Sequence, residues 1–359
     1  MTPIFQRQYI RARKWYEKYE RRLSIASLMT GFVVDSLTLQ RIDALRENLW
    51  IAANILIVGL CIIFLNRDVA AKKGFWLPNI LQFSFGALLG SFFIFYFRSS
   101  TLTATWPFLL ILLAAMLANE LFQKRYEQLA FRLSFLYLSI LSFSIFLMPL
   151  LLKSIRPEVF ILSGIVSLVA IWIYILLLRK LASERFLENK THIWTFITFI
   201  FVSVNVLYFM NLIPPIPLAL KDSGIYHSIS RNSEGNYVVT DEERGVEKYF
   251  QLSPKIHWQE GKSLYAYTAI FSPGSLNTGI VHNWQYQNDD GEWITVTRTP
   301  LYLSGGRSGG FRTFSEKSNF TPGRWRVSVE TPREQIIGRI NFEIVPILTV
   351  PNLVGDVKE

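Results

Sequence analysis

Cysteine is almost missing from this chain: the single Cys61 sits inside an apolar run, so neither an intramolecular disulfide nor a cysteine-based zinc site can form. Charge is scarce too, at 18% of 359 residues, while 50% are hydrophobic and mean hydropathy is +0.26. Such a chain does not read as water-soluble along its whole length. The four histidines, His192, His227, His257 and His282, form no H-E-x-x-H and no other close pair at metal-ligand spacing. No nucleotide loop, dinucleotide fingerprint or haem attachment is present, and no acid, base and nucleophile converge in a motif. A non-catalytic protein without a metal or cofactor is therefore expected.

The net charge of +10 suggests nucleic acid only until it is located. Residues 1–220 hold 22 Lys/Arg against 11 Asp/Glu, and residues 221–359 hold 15 against 16. The basic excess belongs to the apolar part, where it reads as membrane orientation rather than a DNA footprint.

A helix needs about 20 apolar residues to cross a bilayer core, because lipid satisfies no bare backbone N–H or C=O. Six stretches qualify: Leu49 to Leu65, Phe75 to Phe97, Leu102 to Phe122, Leu133 to Leu152, Val159 to Leu178 and Ile193 to Ile213. A shorter seventh candidate, Leu23 to Gln40, carries Asp35. With seven spans, one side of the membrane collects 17 Lys/Arg and the other 5; with six, the split is 12 to 10. The positive-inside tendency favours seven spans, N-terminus in the cytoplasm and C-terminus outside. Residues 1–22 mix seven basic residues with Tyr9, Trp15, Tyr16 and Tyr19, a composition suited to anionic headgroups.

The last span runs into Pro214-Pro215-Ile216-Pro217, where missing amide donors predict the end of the helix and a hinge over 214–224. From 225 to 346 the pattern changes to alternation broken by turn signals, which predicts an all-β antiparallel sandwich followed by a tail, 347–359. In Arg324–Glu330, Trp325, Val327 and Val329 fall on one face and Arg324, Arg326, Ser328 and Glu330 on the other. Arg339–Ile344 alternates likewise, with Ile340, Phe342 and Ile344 inward.

Several residues invite a chemical reading. His282 and Trp284 share one strand face, as a ligand platform or, more commonly, as a core tryptophan beside a hydrogen-bonded histidine. Arg312, Ser315 and Lys317 suggest anion binding, yet alternation puts Arg312 opposite the other two unless a bulge reunites them. Gly306-Arg307-Ser308-Gly309-Gly310 satisfies G-x-S-x-G without the strand-to-helix elbow that the pattern needs, and reads as a hairpin loop. Asp35 and Glu120 are costly intramembrane acids, near opposite ends of their spans. Gly86 and Gly90 form a G-x-x-x-G that lets helices pack closely.

Gly31-Phe32-Val33-Val34-Asp35, Thr38-Leu39 and Arg41-Ile42-Asp43 stand near the start of the chain, and Ile213–Leu218 forms the membrane exit. With His282 and Trp284, then Arg312, Ser315 and Lys317, then Pro322, Gly323 and Trp325, they resemble a bacterial family of integral membrane proteins ending in the domain of unknown function 2914. The resemblance implies this architecture and a bacterial envelope setting, and supplies neither reaction nor ligand. One departure is Pro332-Arg333-Glu334, where a glycine turn is expected. The leading functional expectation is a bilayer-anchored sandwich that binds an envelope glycan, lipid or protein partner. The rival is a transporter or lipid-translocating protein that uses Asp35.

Overall fold

The fold is described from a computed structural model covering residues 44–66, 76–99, 102–121, 129–181, 183–215, 217–233, 236–242, 253–272, 278–303, 310–348 and 352–358. Six helices come first: α1 (Leu45–Asn66), α2 (Trp76–Arg98), α3 (Leu102–Leu121), α4 (Leu129–Leu152), α5 (Pro157–Leu181) and α6 (Ser183–Phe209). Among the described residues, Leu45–Asn66, Ile80–Phe97, Leu129–Leu152, Pro157–Leu181 and Lys190–Phe209 are long and apolar enough to cross a membrane. In α3 the apolar stretch is shorter, Thr105–Met116. Among the described residues the helices number six; the seventh expected span, Leu23 to Gln40 with Asp35, lies outside them.

The chain divides into two compact units. The first takes in Leu109–Ser144, Gly164–Val204 and described residues up to Phe95; the second takes in Tyr96–Phe108, Ile145–Ser163 and everything described from Asn205 onward. In the first unit, apolar side chains face outward as well as inward. The α5 span has a mean hydropathy of 2.6 with only 33% of it buried, and Trp172, Ile173 and Leu177 are exposed. Water would penalise such a surface, whereas lipid matches it.

Polar side chains in the helices turn back on their own backbone. Asn54 Nδ2 donates to Trp50 O at 2.9 Å, and Ser139 Oγ to Phe135 O at 2.8 Å, each four residues upstream. Close packing holds the helices together: Tyr174 donates to Gly59 O at 2.8 Å, and a Cβ on Gly59 would stand 3.2 Å from the Tyr174 ring. Gly90 is buried and Gly86 half-buried on α2, and Glu120 falls in the last turn of α3.

The end of α6 differs from the expectation. The helix begins at Ser183, ten residues before the apolar run, and stops at Phe209, before the prolines. Asn211 takes a left-handed backbone with φ of 57°. Around it, Leu212 N donates to Leu207 O at 2.9 Å and Asn211 N to Tyr208 O at 3.0 Å. That pair of bonds is the Schellman motif, which closes the helix before proline can break it.

Among the described residues eleven strands follow: β1 (Ala219–Tyr226), β2 (Ser228–Arg231), β3 (Tyr237–Glu242), β4 (Lys255–Trp258), β5 (Leu264–Phe271), β6 (Thr278–Gln287), β7 (Trp293–Leu303), β8 (Phe311–Lys317), β9 (Gly323–Glu330), β10 (Ile336–Pro346) and β11 (Leu353–Lys358). They form sheets in the orders β1-β5-β8, β4-β10-β9-β6-β7 and β11-β3-β2. The strands overrun the expected boundaries: β1 starts inside the segment read as a hinge, and the tail supplies β11. Neighbours joined by short turns pair antiparallel, whereas β4 pairs parallel with β10, a departure from the all-antiparallel expectation. The long stretch of chain between β4 and β10 permits it.

The first two sheets contribute to one core. Ile225, Leu264 and Ala266 from β1 and β5 pack with Ile256, Trp284, Trp325, Val327, Phe342 and Ile344 from the five-stranded sheet. Alternation places Trp325, Val327 and Val329 inward, and all are buried. Ser328 and Glu330, on the opposite face, are buried as well. Their strand β9 is the middle of five: Ser328 lies between Arg339 and Asn283, and Glu330 between Ile336 and Val281. At the β9–β10 turn, Glu334 adopts φ of 66° in place of the expected glycine, while Glu334 N donates to Thr331 O at 2.9 Å and Thr331 N to Gln335 O at 2.9 Å. The turn forms without glycine, at the strain that a side chain incurs in the left-handed region.

Candidate functional site

The five-stranded sheet presents two chemically different faces. Strand β6 turns Ile280, His282 and Trp284 toward the core and Val281, Asn283 and Gln285 away from it, because successive side chains alternate.

On the inner face, His282 and Trp284 are fully buried. Ser315, 3% exposed on β8, joins them: its Oγ lies 2.8 Å from His282 Nδ1 and accepts from Trp284 Nε1 at 3.0 Å. The other ring nitrogen, His282 Nε2, lies 3.0 Å from Thr268 Oγ1. Burial drives the imidazole down to about 3, because no charged partner repays its desolvation. A neutral ring with both nitrogens engaged is the arrangement of a core tryptophan beside a hydrogen-bonded histidine.

The structure therefore brings together His282, Trp284 and Ser315, and leaves Arg312 apart. Pairing of β5 with β8 runs in unbroken register through Ala269–Arg312 and Ala266–Ser315, so no bulge reunites the two faces. Arg312 instead reaches Asn236 Oδ1 at 3.4 Å and Lys358 O at 3.2 Å, tying strand ends together. Lys317 shares the face of Ser315 but lies at the strand end, its Nζ 5.5 and 5.4 Å from the Phe320 and Trp325 ring centres. Gly306–Gly309 of the hairpin loop lie outside the described residues.

The outer face escaped sequence reasoning. Register aligns Arg339, Ser328, Asn283 and Arg298 in one row across β10, β9, β6 and β7, and Asn341, Arg326, Gln285 and Thr295 in the next. Arg326 Nε donates to Gln285 Oε1 at 2.7 Å, and its guanidinium lies 4.2 Å from the Trp293 ring centre. Ser328 Oγ donates to the same Gln285 oxygen at 3.1 Å. Asn283 Nδ2 donates to Glu330 Oε1 at 3.1 Å, while Arg298 lies 3.6 Å from Glu330 Oε2 and 2.7 Å from Glu334. Burial, then the nearby Arg339, lower the Arg326 guanidinium to about 10, still protonated at neutral pH. Burial also pushes the Glu330 carboxyl up. The missed signal was the run of polar residues at alternate positions of β6 and β9 together.

A third polar cluster joins β3, β4 and His227 between β1 and β2. The buried Glu242 carboxylate lies 3.0 Å from His227 Nε2 and 2.7 Å from His257 Nδ1, and accepts from His257 N at 2.7 Å. Among the described residues, no group of three or more His, Cys, Asp or Glu is arranged to hold a metal ion.

Residues 277–344, which carry β6 to β10 almost entirely, match the family described as "Protein of unknown function (DUF2914)". No curated protein matches the chain. Among solved structures, an immunoglobulin-like protein from Pseudomonas aeruginosa is 10% identical, with 36% of this chain and 97% of that one covered and a TM-score of 0.21. The alkylpurine DNA glycosylase AlkC of Pseudomonas fluorescens, bound to DNA containing an abasic site analog, is also 10% identical, with 85% and 100% covered and a TM-score of 0.22. Scores this low transfer neither a fold nor a function. The match to a family of unknown function, over residues 277–344, is the similarity that carries weight for this chain.

Proposed function

We propose that this chain is a non-catalytic, multi-pass protein of the bacterial cytoplasmic membrane. In this reading seven spans hold an extracytoplasmic β-sandwich that binds an envelope ligand. The observation that carries the reading is the distribution of charge around the described helices. Each crossing reverses the side, so the α2–α3 and α4–α5 connections share the side of the strands that follow α6. Together with the start of α1, that side holds Arg46, Arg98, Lys153 and Arg156. The opposite helix ends and connections hold ten Lys/Arg, from Arg67 to Lys190. With the first span counted, the positive-inside tendency favours the cytoplasm for the ten and the other side for the β domain; without it, the basic N-terminal residues join the strand side and the split falls to 12 against 10. An N-terminus in the cytoplasm then requires that first span.

Support for ligand binding rather than catalysis comes from the β domain itself, where the polar groups spread across a sheet face instead of converging on one reacting atom. The transport alternative rests on Asp35 and draws nothing from the described helices. A pair of C-terminal reporters tests the placement: a phosphatase that folds only outside the cytoplasm and a fluorescent protein that matures only inside. Phosphatase activity is expected. Fluorescence alone would overturn the reading and make the β domain a cytoplasmic module.

A further inference from the structure

Basic side chains gather where the helices end and the β domain begins. On the side of the strands, the described helix ends and connections hold Arg46, Arg98, Lys153 and Arg156, and the last two stand in the short link between α4 and α5. Arg333 adds a third cation from the turn between β9 and β10. Its Nη1 donates to the Tyr208 hydroxyl at 3.2 Å, and its guanidinium lies 5.7 and 5.9 Å from the ring centres of Tyr208 and Phe209 at the end of α6. Membrane orientation depends on the side a charge occupies and not on where around the bundle it lies. The gathering therefore points to something other than topology.

A cleft of about 30 Å³ opens at this place, within the second compact unit. Ile145, Pro149, Phe160 and Pro214 give it apolar walls, and Arg156, Tyr208 and Gln335 its polar lining. Phe160 stacks on Tyr208 with ring centres 3.5 Å apart, which holds that ring in place. Gln335 is 3% exposed, and its Nε2 has no hydrogen-bond partner. The Tyr208 hydroxyl stands beside it, but that oxygen already accepts from Arg333, and a side-chain amide carries two N–H groups. Arg156 is exposed, and no hydrogen bond or ion pair among the described residues engages its guanidinium. Of the acids nearby, Glu158 acts on the Tyr208 hydroxyl and offsets one positive charge, while Glu334 is taken by Arg298 at 2.7 Å. The cleft thus offers donors and a surplus of positive charge.

We infer that this cleft holds the phosphodiester of an anionic phospholipid, whose oxygens accept from Arg156 and Gln335 Nε2 while Lys153 and Arg333 add their field. The acyl chains then lie along Leu152, Ile161, Phe209 and Met210, apolar side chains left exposed on the same helix ends. Size and chemistry narrow the choice. The space admits water-sized groups such as a phosphate oxygen and is too small for a sugar ring. An ionised phosphodiester has acceptors only, which suits a guanidinium and an amide N–H. A choline headgroup brings a quaternary ammonium that the surplus cations repel, and free phosphate has no chains to cover the apolar side chains. The inference goes beyond the proposed function: it requires the helices to span and holds on whichever side the β domain lies.

The test uses the full chain, delipidated in a nonionic detergent and titrated with dioleoylphosphatidylglycerol or dioleoylphosphatidylcholine, with bound lipids counted by native mass spectrometry. One phosphatidylglycerol per chain should be held about tenfold or more tightly than phosphatidylcholine, as two surplus cations require. Arg156→Gln should weaken it about fivefold, the share of one cation. Gln335→Leu keeps the volume, removes the donor and should also cost about fivefold. Lys190→Gln, near the opposite end of α6, should change nothing, and melting temperatures of all variants are checked against the parent. Equal retention of the two lipids overturns the inference and marks the bound lipid as a general solvent of the helices. Parent-like preference in both folded cleft variants overturns it as well. Displacement of the lipid by millimolar inorganic phosphate would make this a site for free phosphate and sink the lipid assignment. The headgroup comparison needs no variant, so it decides even if a substitution unfolds the chain. The reporter fusions read placement without reference to lipid, so the two readings fail separately.

Discussion

Polar side chains inside the helices and inside the β domain are satisfied in opposite ways. In α1, α4 and α5, Asn66, Ser139 and Ser163 each donate to the carbonyl four residues back, 2.7 to 2.8 Å away. In the β domain, His282, Trp284 and Ser315 satisfy one another across separations of 31 and 33 residues, and Asn283 reaches Glu330 across 47. A span surrounded by lipid has every backbone bond made within itself, so a hydroxyl that shares a carbonyl already in use disturbs nothing. A strand leaves its side chains to find partners on other strands, and each partner then depends on the whole sheet order. The short side chains Asn66, Ser139 and Ser163 are thus satisfied locally, whereas in the β domain satisfaction is a property of the fold.

Removing a hydroxyl from the β network should show the larger effect. Ser315→Ala leaves Trp284 Nε1 and His282 Nδ1 unpaired in a core where both residues are fully buried. A loss of about 2–4 kcal/mol is expected, since each orphaned group carries its own desolvation cost. Denaturant unfolding of the full chain, followed through the core tryptophans, measures it. A loss below about 1 kcal/mol would mean that water or a neighbouring group replaces the hydroxyl, and the β side of the comparison would break.

Acid should expose the same network by a different route. In the unfolded chain His282 titrates near 6.5, and in the folded domain near 3. Between those values the unfolded state holds a proton that the folded state refuses, so stability is intact above about pH 6.5 and falls as pH drops toward 3. The slope is about 1.4 kcal/mol per unit, or about 2 kcal/mol between pH 6.5 and 5. His282→Gln should be less stable than the parent at pH 7.5 yet lose less on acidification. Equal acid sensitivity of the two chains would assign the effect to other groups.

The same contrast explains what was legible in the sequence. The spans announce themselves because lipid demands unbroken apolar runs. Where the helical part was misread, at Ser183 and at Phe209, the cause was a polar helical start and a left-handed asparagine, neither of which changes hydropathy. In the β domain, period-two alternation placed His282 with Trp284 and separated Arg312 from Ser315, since a face is set by neighbours two residues away. It could not pair Ser315 with His282, nor assemble Asn283, Arg326, Arg339 and Glu330 on one face. That assembly needs the order β10-β9-β6-β7 and a register in which Ser328 meets Asn283, and neither is written in any single strand. Ser328 and Glu330, placed by alternation on the face opposite Trp325, are buried all the same because β9 is the middle strand of five.

The smallest effect belongs to the matching substitution in a helix. Ser139 is as deeply buried as Ser315, at 0% against 3% exposed, so burial alone predicts equal costs for Ser139→Ala and Ser315→Ala. The partners differ. Ser139 Oγ donates to Phe135 O, a carbonyl that the α-helix already supplies with the amide of residue 139 itself. Removing the hydroxyl therefore leaves no donor and no acceptor unpaired, and adds a slightly better helix former. A change within about 0.5 kcal/mol is expected, of either sign. The two alanine variants, compared in one bilayer by thermal unfolding with separate helical and tryptophan signals, set local against long-range satisfaction at constant chemistry. A loss at Ser139 as large as that at Ser315 would show that its hydroxyl serves a neighbouring helix as well, and the helical side of the comparison would then rest on bonds of the same kind as the β domain's.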